Sequence, residues 1–166
     1  MGLDMYLTRK TYVKNWDWYD PEQCYNIVVN RGGTLFHGIK SDKIKTIEEE
    51  VGYWRKANQI HRWFVLNVQD GIDECQESYV ETPKLKELLD IVNRILALPD
   101  GADRDRLAAE LLPTQPGFFF GSYDYDEWYY KDLEDTKQIL LEVLEHEESH
   151  DNIPGFYQDY YYHSSW

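Results

Sequence analysis

An α+β fold is what the sequence predicts: an antiparallel sheet built from both ends of the chain and packed by helices. Three observations carry that expectation. Residues 1–13 alternate apolar and polar side chains over part of their length, the pattern of a strand. Three later stretches place apolar residues at helical spacing. The tail sets Tyr160 and Tyr162 against Tyr161 and His163, so a closing strand can pair with the first. Neither an internal repeat nor a linker interrupts residues 1–166, so one domain is expected.

The elements follow in order. Trp16, Trp18 and Tyr19, set among Asp17, Asp20 and Pro21, read as a covering loop. Residues 25–29 are rich in β-branched side chains and read as a second strand; Arg31-Gly32-Gly33 turns the chain into a third over residues 34–39. The two glycines are no phosphate loop, because no Lys-Ser/Thr follows them. A central helix is expected from Thr46, with Glu49 completing a capping box, to Leu66, with Asp70-Gly71 as its exit turn. Thr82-Pro83 opens a second helix carrying Leu85, Leu88, Leu89, Val92, Ile95 and Leu96. A short helix spans residues 103–112. Residues 117–121 form a short strand or a tight aromatic turn. Asp126 caps a long helix to Glu145 that buries Trp128, Leu133, Ile139, Leu140, Val143 and Leu144.

The central helix carries the most unusual chemistry. Wound at 100° per residue, it collects Trp54, Ala57, Ile60 and Phe64 on a buried half, while Arg55, Lys56, Gln59 and Arg62 face solvent. Glu50, Asn58 and His61 fall among the apolar residues as a polar ladder. An unpaired buried polar group costs about 1–3 kcal/mol, so the ladder must find partners. Either it is an internal network with Asn58 and His61 bonded to a neighbouring strand, or it floors a ligand pocket lined by Trp54, Arg55, Asn58, His61 and Arg62.

Composition narrows the function classes. Residues 1–70 hold ten Lys/Arg against nine Asp/Glu, whereas residues 71–166 hold seven against twenty-two, for a net charge of −14. Direct binding to a phosphate backbone is therefore not expected. No segment approaches the ~20 apolar residues of a membrane span. Two cysteines, Cys24 and Cys75, fit a reducing compartment, and they could also form one bridge. Asp70, Asp73 and Glu74 lack the ligand spacing of an EF-hand, and no local signature makes Cys75 with His61 a thiol nucleophile. No cofactor is implied.

Two segments invite a functional reading. His146-Glu147-Glu148-Ser149-His150 matches the zinc motif H-E-x-x-H, but it ends an acidic helix and lacks the third-ligand extension. It reads first as a solvated helix end, with an adventitious metal pair, His146 and His150, as the alternative. Between residues 122 and 132, Tyr123, Asp124, Tyr125, Asp126, Trp128 and Tyr129 mix aromatic rings with acids. That mix suits protein recognition, since tyrosine contributes contact area at low entropy cost.

Met1-Gly-Leu-Asp-Met-Tyr-Leu, Tyr53-Trp-Arg-Lys-Ala-Asn-Gln-Ile-His-Arg-Trp-Phe, Asn67-Val-Gln-Asp-Gly, Gly117-Phe-Phe-Phe-Gly-Ser and Ser164-Ser-Trp stand at both ends and in the middle of the chain. Together they resemble a family of small uncharacterised proteins from bacteriophages and prophages. The resemblance implies a mobile-element accessory protein of the bacterial host cytosol and carries no catalytic residue with it. The expected function is non-enzymatic binding of a host or phage macromolecule through a protein interface, with inhibition of a host defence system as one role. The alternatives are a small-ligand or nucleotide binder or enzyme using the Trp54, Asn58 and His61 pocket, and an acidic mimic of nucleic acid.

Overall fold

The structure is a computed structural model and describes residues 2–117 and 120–166. Its centre is the first strand, β1 (Asp4–Tyr12), which sends Met5 and Leu7 to one side; both, like Leu3 just before the strand, have no exposure. Such a strand must be paired on both edges and covered on its apolar face. The C-terminal strand β6 (Tyr157–Ser165) pairs with it antiparallel from Asp4↔Ser165 to Tyr12↔Tyr157, so the two ends of the chain do form the heart of the sheet. β4 (Thr46–Arg55) lies on the other edge of β1, and the short β5 (Ser78–Val80) lies outside β6. The order is β4-β1-β6-β5. The predicted α+β class is what the structure has.

β4 is also the main correction. Residues 46–55 were expected to be helical, yet helix α1 begins only at Asn58 and runs to Asn67. The triplet Glu48-Glu49-Glu50 supports a helix start locally, but pairing with β1 decides. Glu48 lies opposite Lys10, and Glu49 lies opposite Arg9, whose Nη2 it meets at 2.9 Å. Gly52 and Trp54 point inward. A Cβ at Gly52 would sit 2.8 Å from Ile139 Cγ2, so glycine there lets a helix close on the strand. Glu50 consequently leaves the proposed ladder and faces outward opposite Thr8.

The helices α2 (Thr82–Leu96), α3 (Ala102–Leu111) and α4 (Glu127–His150) complete the fold. α2 buries Leu85, Leu88, Val92 and Ile95, while α4 buries Leu133, Leu140 and Val143. Ile139 and Leu144 are only half-buried, and Trp128, expected in the core, is 69% exposed because it occupies the first turn of α4 at the domain surface. α1 packs by stacking Phe64 on Tyr162, with centroids 4.0 Å apart and planes 5° off parallel. As expected, Asp126 caps α4, accepting from the Trp128 and Tyr129 N–H groups at 3.1 and 3.0 Å. Asp126→Ala should cost about 1 kcal/mol, read as a shift in the urea midpoint.

Between β1 and β4, no residue from 14 to 45 is buried. The expected hairpin shrinks to β2 (Asn30–Arg31) and β3 (Thr34–Leu35), turned by Gly32 and Gly33 at φ +59° and +81° and outside the main sheet. Trp16 and Trp18, 40% and 73% exposed, stack on each other with centroids 4.8 Å apart. The expected 117–121 element includes Phe118 and Phe119, which lie outside the described residues. Among the described residues no helix is long and apolar enough to cross a membrane. Cys24 and Cys75 are both free and exposed. A thiol reagent should therefore titrate both in the native protein, and reductant should leave the melting temperature unchanged.

Candidate functional site

The turn from β4 into α1 is tightly built. Lys56 adopts φ +62°, unusual for a residue with a side chain, and its N–H bonds to the Leu3 carbonyl at 2.8 Å. Ala57 follows at φ −75°, ψ 71°, an inverse γ-turn closed by Asn58 N–H to Lys56 O at 2.9 Å. Gly121 lies against this turn at φ +94°; a Cβ there would sit 3.2 Å from both Lys56 Cβ and Lys56 O. Strained backbone of this kind persists only where its surroundings fix it, and it concentrates at functional sites.

Asn58, 2% exposed, does the fixing. Its amide donates to the Phe120 and Ser122 carbonyls at 3.0 and 2.9 Å, and its oxygen accepts from the Gln115 N–H at 2.8 Å. Every one of these bonds reaches backbone of the α3–α4 connection, which is thereby clipped onto the start of α1. A further anchor is the Tyr129 hydroxyl, which donates to the Leu112 carbonyl at 2.8 Å.

The clipped loop, the β4–α1 turn and the first turns of α4 enclose a cleft of about 340 Å³, within the size range of ligand sites. Arg55 and Lys56 line it from the β4–α1 turn, Gln59 from α1, Asp124 and Asp126 from the end of the loop, and Trp128 and Asp132 from α4. The cleft therefore joins members of both candidate sets, the Trp54–Arg62 helix and the Tyr123–Tyr129 segment, which the sequence treats as separate. Gln59, expected in solvent, is 2% exposed and donates from Nε2 to Asp132 Oδ2 at 3.2 Å. Burial lifts the half-buried Asp132 carboxyl to about 6, the Gln59 bond partly opposing it, and the nearby acids Asp135 and Asp126 push it the same way as burial. A desolvated acid facing a cleft is a recurring mark of a binding or catalytic site.

The remaining candidates lie elsewhere. Trp54 is buried and donates to Thr136 Oγ1 at 2.8 Å, so it braces α4 from beneath. His61 has no exposure. Its Nδ1 is 2.8 Å from the Tyr162 hydroxyl and its Nε2 is 2.9 Å from Asp73 Oδ2, while Asp73 Oδ1 accepts from Trp166 Nε1 at 3.1 Å. This chain ties α1, the connection after it and the C-terminus together. Burial pushes the Tyr162 hydroxyl well above its ordinary value, and the Asp73 charge adds to the shift. Tyr162→Phe leaves a buried imidazole nitrogen unpaired and should cost about 1–3 kcal/mol in urea unfolding.

Arg62 lines a separate shallow groove with Glu110 and Pro113. The Tyr123 hydroxyl is bonded to Gly117 backbone at 3.3 Å, and Tyr125 packs edge-on against Tyr129. His146 and His150 stack with centroids 4.1 Å apart, and His150 Nδ1 lies 2.7 Å from the His146 carbonyl. Burial holds His146 below its ordinary pKa, with Arg9 and His150 adding to the shift. Among the described residues no group of three His, Cys, Asp or Glu side chains is placed to hold a metal ion.

Lys56, Gln59, Gly121, Ser122 and Asp132 line the cleft without having been singled out as site residues. One signal for Asp132 was present: it is an acid beside the buried Tyr129, Leu133 and Thr136 stripe of α4. No protein-family model, curated protein or solved structure matches the chain.

Proposed function

We propose that the chain is a non-enzymatic binding protein whose α1–α4 cleft takes a cationic group of its ligand. The observation that carries this reading is Asp132. A carboxylate drawn out of water, bonded to one amide and flanked by other acids, lacks the partner that would compensate its burial. An incoming ammonium or guanidinium supplies that partner, and Trp128 at the rim offers a ring face to the same charge. Arg55 and Lys56 in the cleft lining suit an anionic group elsewhere on the ligand, so the cleft favours a charge-separated ligand. In this reading the group belongs to a host or phage macromolecule. The chain then acts as a bacteriophage or prophage accessory protein in the host cytosol, as the sequence resemblance implies.

The test is a thermal-shift panel of arginine, lysine, agmatine, spermidine and nucleotides on the wild type and on Asp132→Asn. Stabilisation by a cation-bearing compound, lost in the variant, supports the reading; a ligand at a hundred times its Kd adds about 2.7 kcal/mol. Stabilisation by no compound at saturation, or equal stabilisation of both proteins, counts against it.

A further inference from the structure

The sheet residues buried in the core, Met5, Leu7, Trp54, Tyr160 and Tyr162, all fall on one face of the sheet. The register sends Tyr6 and Tyr12 of β1, Tyr53 of β4, Tyr79 of β5, and Tyr157, Tyr161 and His163 of β6 to the opposite, outward face. The rings touch across strands. Tyr6 stacks on His163 at 4.8 Å and lies 5.5 Å from Tyr53, and Tyr79 meets Tyr161 at 5.9 Å. Several are well exposed, Tyr157 at 59% and Tyr79 at 52%. At the Tyr12–Tyr157 end the face runs into a groove of about 560 Å³ walled by Trp16 and Tyr19. Exposed aromatic rings gathered on one face of a sheet suit an interface.

We propose that this outward face docks a basic protein segment. Charge selects the occupant. The outward positions between the rings carry four acids, Asp4, Glu48, Glu50 and Asp159, against two bases. Lys10 meets Glu77 at 2.6 Å and Glu48 at 3.8 Å, Arg55 lies 4.0 Å from Asp4, and the Tyr53 and Tyr12 hydroxyls donate to Asp4 and Asp159 at 2.5 and 2.8 Å, so the face keeps an acidic balance. Phosphates would meet those carboxylates, and a second copy of a chain of charge −14 would meet its own sign. The molecule also displays the intended contact within itself. Lys10 Nζ lies 4.3 Å from the centre of the Tyr161 ring, and Lys14 Nζ lies 3.5 Å from that of Trp16. Arginine or lysine side chains of a partner repeat this geometry over the free rings and reach the acids between them. The inference is independent of the cleft, since it uses neither Asp132 nor α4.

Fluorescence anisotropy with a labelled oligoarginine peptide tests it, with oligoglutamate and oligo-dT as comparison probes. The expected result is salt-sensitive binding of oligoarginine alone, weakened about tenfold by Tyr79→Ser with Tyr157→Ser and retained by the corresponding phenylalanines. Both positions are exposed and the substitutions leave net charge unchanged, so attraction by charge alone would leave the serine variant at wild-type affinity and overturn the proposal. Tighter binding of oligo-dT would overturn it in favour of a nucleic acid. Self-association in sedimentation that the serine variant abolishes would overturn it in favour of a second copy, and no binding of oligoarginine at low salt would overturn it outright.

Discussion

Replacing Asp132 with asparagine should make the protein more stable at neutral pH while abolishing ligand binding in the cleft. The side chain keeps its shape and can still accept from Gln59 Nε2, but the charge that burial disfavours is gone. The sign follows from linkage. With the folded carboxyl near 6 and the unfolded one near its ordinary value, the native state holds the extra proton between about pH 4 and 6. This group's contribution to wild-type stability therefore falls as pH rises through that window and is flat above it. The variant lacks that slope, so its advantage should be near zero at pH 4 and complete by pH 7. Allowing for water at the exposed edge of the side chain, the gain is about 1–2 kcal/mol, or about 2–8 °C in Tm for a chain of this size. A structural carboxylate would behave oppositely, its removal destabilising the fold. Gain of stability with loss of binding is the trade expected where a site is kept strained for its ligand.

Asn58→Ala should be the more damaging change. It removes two donated bonds and one accepted bond, all buried or partly buried, and leaves the Gln115 N–H, the Phe120 carbonyl and the Ser122 carbonyl unpaired. A loss of about 2–4 kcal/mol is expected, measured as a fall in the urea midpoint at constant m-value. Ligand binding should fail with it, because Gly121, Ser122 and Asp124 belong to the released loop. Asn58→Asp separates hydrogen bonding from volume. The carboxylate fills the same space but cannot donate, so it faces two carbonyl oxygens without a proton between them. Its cost should match or exceed that of alanine; a mild effect would mean that packing, not the three bonds, holds the loop.

How legible this was in the sequence differs by element. The α+β class, the pairing of first and last strands, α2, α3 and the capped α4 follow from apolar periodicity and capping residues, signals local enough to read directly. Residues 46–55 mislead because three consecutive glutamates favour a helix locally, whereas their partners Arg9 and Lys10 are about forty positions away in sequence. Phasing a helix from Thr46 put Gln59 in solvent and Glu50 in the ladder, while the true start at Asn58 buries the first and expels the second. The cleft itself was beyond reading along the chain, because Asn58 closes it on Gln115, Phe120 and Ser122 and Gln59 meets Asp132 seventy-three residues on. The outward tyrosines were visible as residues, but only the strand register places them on one face.

The central claim is that the cleft holds a carboxylate withheld from water for a cationic partner. A pH titration of the Asp132 side-chain carboxyl carbon by NMR in the free protein tests it most directly. The account predicts a midpoint at about 6, and a lower midpoint when a cation-bearing ligand is bound. A midpoint near 4, unchanged by every cation that stabilises the protein, would show a hydrated surface acid and contradict it.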